Sequence, residues 1–125
     1  MAKRTRHLTD SEQLCENIVK GMSEKKGEDI AVIDLRELKN AIADFFVICT
    51  GTSDPHTAAV ADSVEEVVYK SLQQDPYKRE GFENKEWILL DYIDVVVHIL
   101  RADKRNFYSL EKLWGDAPVK FIDQH

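Results

Sequence analysis

The stretch Trp87 to Leu100, WILLDYIDVVVHIL, narrows the choice of fold more than any other part of this chain. Two β-rich runs flank Asp91-Tyr92-Ile93-Asp94, which is the pattern of a tight hairpin. With Tyr92 and Ile93 as the two turn residues, Asp91 opposes Asp94, Leu90 opposes Val95, Leu89 opposes Val96, Ile88 opposes Val97 and Trp87 opposes His98. Strand side chains alternate between faces, so Ile88, Leu90, Val95, Val97 and Ile99 gather on one side with no polar atom among them. That side is core. The other gathers Trp87, Leu89, Asp91, Asp94, Val96 and His98, too polar to bury unpaired and too apolar to leave in water without cost. Two readings stand: an interface in which a Trp anchor is ringed by polar groups, or a face covered by the chain's own elements, with Trp87 in the core and His98 satisfied by a hydrogen bond.

The flanking sequence gives this hairpin its setting. Thr9-Asp10-Ser11-Glu12 has capping-box spacing, and Leu14, Cys15, Ile18, Val19 and Met22 repeat on one helical face, predicting a helix from about 10 to 23 that stops near Gly27. Ile30 to Leu35 and Phe45 to Cys49 read as strands, with Arg36 to Ala43 a connection that has room for a helical turn. Ser53 or Asp54 can cap a second helix, with Pro55 in its first turn and Val60, Val64, Val67, Val68 and Leu72 on its inner face. Asp75 to Asn84, with Pro76 and Gly81, reads as a loop. A last helix begins near Asp103, carries Phe107, Leu110 and Trp114 on one side, and ends at Gly115. The order predicts an α/β (α+β) fold with a single mixed sheet and flanking helices, organised as one domain over 1–125.

Charge and composition exclude several classes of function. Apolar residues at 43% and charged residues at 32% suit a globular protein, and no apolar run approaches the roughly 20 residues of a membrane span. The opening MAKRTRH lacks the apolar core of a secretory signal, so a cytoplasmic location is expected. Against 23 acidic residues stand 17 Lys and Arg, a net charge of −6 that argues against a large nucleic-acid footprint and favours a basic partner. Arg101, Lys104 and Arg105 are too few to alter that and read as a solvated helix start. Cys15 and Cys49 have no CxxC spacing and read as reduced core thiols, so neither a metal nor another cofactor is expected.

Catalytic constellations are weak. His7, His56, His98 and His125 are scattered, and no Ser sits in a nucleophile elbow, so no catalytic residue is assigned. Gly51-Thr52-Ser53 between strand and helix could offer N–H groups to a phosphate, but it has neither the Walker lysine nor GxGxxG, and a tight turn with an N-cap needs the same residues. Joined to Asp91 and Asp94, that loop would suggest a nucleotide-binding or nucleotidyltransferase-type enzyme. Such enzymes carry two carboxylates at i and i+2 and a third nearby, whereas this pair is spaced i, i+3 across a turn.

The strings ADFFVICTGTSD (43–54), WILLDYIDVVVHIL (87–100) and FYSLEKLWGDAP (107–118), in this order, resemble the Iojap family, also called the ribosomal silencing factors. The turn departs from the family's Asp-Tyr-Gly-Asp by carrying Ile93 in place of Gly, and Ile tolerates positive φ poorly, so this turn is expected to differ in type or to be strained. The resemblance implies a nucleotidyltransferase-like topology without a working active site. It implies binding to the large ribosomal subunit through its universal protein number fourteen, which blocks joining with the small subunit and represses translation. Carried onto this chain, the expected contact residues are Trp87, Leu89, Asp91 and His98 on the mixed hairpin face, Arg79 and Glu80 on the preceding loop, and Tyr108 and Glu111 on the last helix. No membrane and no sequence-specific nucleic acid enter this picture, and an exposed hairpin face could pair with a second copy of the chain when the ribosome is absent.

Overall fold

In the computed structural model residues 8–108 and 117–122 are described, 106–108 by their backbone alone. The chain opens with α1 (Asp10–Glu24), β1 (Glu28–Asp34), β2 (Phe45–Gly51) and α2 (Asp54–Leu72). It continues with β3 (Lys78–Glu80), β4 (Trp87–Asp91), β5 (Val95–Arg101), α3 (Ala102–Tyr108) and β6 (Val119–Phe121). The capping box opens α1 as its spacing predicts: Glu12 N–H donates to Thr9 Oγ1 at 3.2 Å and Thr9 N–H to Glu12 Oε1 at 2.9 Å. Ser53 caps α2, accepting the His56 N–H, and Gln73 closes that helix in the left-handed region.

One mixed sheet of six strands runs in the order β3-β4-β5-β2-β1-β6, with β2 and β5 parallel and every other neighbouring pair antiparallel. The parallel pair is central because its residues, FFVICTG and VVVHILR, are apolar on both faces and are buried almost throughout. Both long helices lie on one face, where Ile18, Met22, Val60 and Val64 meet Val47, Ile88, Leu90, Val97 and Ile99. They approach closely because Gly21 has no side chain: a Cβ there would sit 2.7 Å from Val64 Cα, and Ser63 Oγ donates to Gly21 O at 2.7 Å. The opposite face is closed at its centre by the chain around Leu35, Leu38, Ala41, Ala43 and Ala117 over Ile33, Phe46, Ile48, Val96 and Leu100.

Two short strands were not expected. β3 lies inside the segment read as a loop, and β6 pairs with β1 at the far edge. Each is three residues long, too short for alternation to register as a pattern, and each is held by a neighbouring strand rather than by its own propensity. The connection 36–43 carries turns and no helix.

The hairpin register differs by two residues from the sequence expectation: Leu89, not Trp87, pairs with His98, and Trp87 pairs with Leu100. A longer turn is the cause. Asp91 Oδ1 accepts Ile93 N–H at 2.7 Å, Asp94 N–H reaches back to Tyr92 O at 2.9 Å, and Tyr92 N–H donates to Val95 O at 2.9 Å. Ile93 takes φ 76°, the strained value that its place in the turn foreshadowed. A shift of two leaves alternation intact, so the apolar face still turns to the helices and Trp87, Leu89 and Asp91 still share the other.

Candidate functional site

The face away from α1 and α2 is not uniform. Its centre is covered, but towards the β3 edge Trp87, Leu89 and Asp91 are half-buried. Glu80 lies opposite Leu89 and Lys78 opposite Asp91, so both belong to this same face, where they pair with each other at 3.6 Å. The result is an apolar centre of indole and leucine with carboxylates and one ammonium around it. Sequence reasoning missed Lys78, because a segment taken as loop has no alternation to apply; once Glu80 is paired with Leu89, Lys78 follows at period two.

Two expected contact residues, His98 and Arg79, stand elsewhere than anticipated. His98 and Val96 are buried, 4% and 6% exposed, so the expectation that the whole mixed face stands open is corrected. Trp87 sits diagonal to His98 in the ladder, and its indole reaches back so that Nε1–H donates to His98 Nδ1 at 3.0 Å. Burial pushes the imidazole's pKa down to about 4, against the opposing pull of the Asp91 charge. Arg79 lies opposite Leu90 and therefore on the helix side of the sheet, where its Nε donates to Glu65 Oε2 at 2.6 Å and its guanidinium stacks 4.1 Å over Phe82. It does not join the Trp87 cluster. Tyr108 ends α3, but its side chain and Glu111 lie outside the described residues, as do Leu110 and Trp114.

The two halves of the nucleotidyltransferase reading sit at opposite ends of the sheet. Gly51 pairs with Arg101 at one end of the parallel ladder and Phe45 with Val95, next to Asp94, at the other, a separation of roughly 20 Å at strand rise. Donors at this turn are also engaged within the chain: Thr52 N–H donates to His56 Nδ1 at 2.9 Å, and His56 N–H at the start of α2 donates to Ser53 Oγ at 3.2 Å. Gly51 is explained by packing, since a Cβ there would collide with Thr57 Oγ1. Asp91 is occupied as a turn acceptor. Among the described residues no group of three or more His, Cys, Asp or Glu is placed to hold a metal ion. The basic cluster is likewise engaged internally, Arg101 with Asp54 at 2.9 Å and Asp103 at 2.8 Å, Arg105 with Asp29 O at 2.6 Å.

Comparison with known proteins decides the family. The model described as "Ribosomal silencing factor during starvation" matches residues 8–125. The chain belongs to the ribosomal silencing factor family. It is 41% identical over 100 residues to the Bacillus subtilis protein named ribosomal silencing factor, covering 80% of this chain and 83% of that one. It is 33% identical over 101 residues to the maize chloroplast protein named Iojap, covering 81% of this chain and 43% of that one. A crystal structure of a Chromobacterium violaceum protein is similar throughout, with a TM-score of 0.80, 29% identity, and coverage of 92% of this chain and 94% of that one. Among the described residues, no helix is long and apolar enough to cross a membrane.

Proposed function

We propose that this chain binds the large ribosomal subunit through its universal protein number fourteen and, by its bulk, prevents the small subunit from joining. The observation that carries the reading is the β3–β4 corner, where Trp87 and Leu89 form a half-buried apolar centre bordered by Glu80, Asp91 and Lys78. Such a surface suits a basic partner with an apolar centre of its own. A standard interface takes about 800 Å² from each partner, a modest part of the 7538 Å² this chain exposes. Repression then needs occupancy alone: a factor bound to the joining surface withdraws subunits from the equilibrium in proportion to its affinity, and no bond is made or broken.

Co-sedimentation with isolated large subunits, paired with light scattering of subunit joining, tests the reading. The full chain is expected to pellet with large subunits and to suppress joining. Trp87→Ala is expected to weaken association more than tenfold, the loss of about 2 kcal/mol typical of an aromatic anchor, while unfolding remains cooperative. Wild-type association by that variant would remove Trp87 from the interface, and collapse of its fold would make Trp87 a core residue instead.

A further inference from the structure

Trp87 is held by an unusual partner. Its Nε1–H donates to Nδ1 of His98 at 3.0 Å, with the two rings 5.8 Å apart and inclined at 45°. His98 is itself held from the neighbouring strand, its ring meeting Phe46 of β2 at 4.7 Å and 60° in an edge arrangement. A neutral imidazole that accepts at Nδ1 carries its proton at Nε2. That Nε2–H is buried and finds no acceptor among the described residues. A buried donor left unpaired costs about as much as one neutral hydrogen bond returns, so His98 gains the fold nothing over an apolar ring of similar size. What the imidazole does supply is a single acceptor in a fixed place.

We propose that His98 is a positioning residue of the docking surface: it takes up the indole N–H from inside, so that Trp87 is fixed in one rotamer and meets a partner through ring carbon alone. The partner chemistry follows. A surface that answers Trp87 offers carbon, such as an aliphatic side chain packed on the ring, and not a carbonyl or carboxylate oxygen seeking a donor. This inference rests on the docking role of Trp87 proposed above. His98 never touches the partner; it acts through the indole.

The test uses the full chain, isolated large ribosomal subunits and two substitutions of opposite character. His98→Phe keeps a ring but removes the acceptor, and is expected to leave the thermal midpoint unchanged or raised while weakening co-sedimentation about fivefold, the equivalent of one hydrogen bond's worth of order at the anchor. His98→Asn places an oxygen near the Nδ1 position but leaves a cavity, and is expected to be less stable yet to bind within about twofold of the unsubstituted chain. Binding that ignores stability in both directions is the signature of positioning. In the unsubstituted chain the Trp87 indole N–H, assigned by its loss in Trp87→Phe, is expected to exchange slowly with solvent, and in His98→Phe quickly. Fast exchange in the unsubstituted chain overturns the proposal whether or not His98→Phe folds. So does wild-type association by His98→Phe, or weakening in both variants that merely follows their stability. If Trp87→Ala associates normally the docking reading itself fails, whereas a weak Trp87→Ala beside a normal His98→Phe removes this inference alone.

Discussion

Ile93 is where one side chain disagrees with its own backbone. Its φ of 76° lies in the region that a β-branched residue enters only under strain, and its side chain is 59% exposed, so little packing offsets that strain. The turn is imposed from outside, by the Asp91 carboxylate on the Ile93 N–H and by Asp94 O, which accepts Asp44 N–H at 2.7 Å and ties the turn to the start of β2. Ile93→Gly is therefore expected to stabilise the protein by about 1 kcal/mol, the relief of the left-handed penalty less the extra chain entropy of glycine, read as a rise of about 4 °C in the thermal midpoint. At this scale the strain was legible, because a turn position and a β-branched residue are both visible in a string of letters. The Trp87–His98 hydrogen bond was not, since it joins diagonal neighbours whose register depends on the length of the turn.

Among the elements, the helices were the most readable. Thr9 and Glu12 carry the capping of α1 within four residues of each other, and the inner faces of α1 and α2 repeat at helical period. How closely the two helices approach is decided by Gly21, against which Val64 and Ser63 lie. Gly21→Ala, although alanine is the better helix former, is expected to destabilise the protein by about 2 kcal/mol by forcing the helices apart, measured as a lower urea midpoint at unchanged slope. β3 shows the limit of reading elements locally. Nothing in Lys78-Arg79-Glu80 demands a strand, yet its pairing with β4 sends Glu80 and Lys78 to the Trp87 face and Arg79 to Glu65 on α2. Arg79 and Glu80, both expected at the contact surface, therefore stand on opposite faces of the sheet, because neighbours in a strand point to opposite sides.

For the molecule as a whole, the buried titratable groups set the pH range of stability. Burial disfavours the imidazolium of His98 and pushes its pKa down to about 4 in the folded protein, from an ordinary 6.5. Between those values the unfolded chain binds the proton and the folded one does not, so stability is fully present above about pH 6.5 and falls as the pH drops towards 4, by roughly 3 kcal/mol. Burial raises the thiols of Cys15 and Cys49 to about 12, so their contribution is complete below pH 9 and is lost as the pH climbs towards 12. Urea unfolding across this range is expected to give a plateau between about pH 6.5 and 9 with a shoulder on either side, and His98→Phe is expected to flatten most of the acid shoulder down to pH 4. A chain whose acid shoulder persists in that variant would place the titration elsewhere.

The sequence alone determined what period and chemistry can carry: two capped amphipathic helices, an apolar ribbon that must be core on one side, a turn in conflict with its own residue, and three strings that resemble one family. These are local properties, and local geometry follows from spacing. Tertiary structure decided which part of the second face stays open. Covering segments close over Val96, and His98 is buried against Phe46 and Trp87, while the β3–β4 corner leaves Trp87, Leu89 and Asp91 half-buried. It also decided that the Gly51–Ser53 turn and the Asp91–Asp94 pair lie at opposite ends of one ladder. Such facts depend on which strands become neighbours, and strand pairing joins residues far apart in the chain through backbone hydrogen bonds that carry no mark in the side-chain sequence.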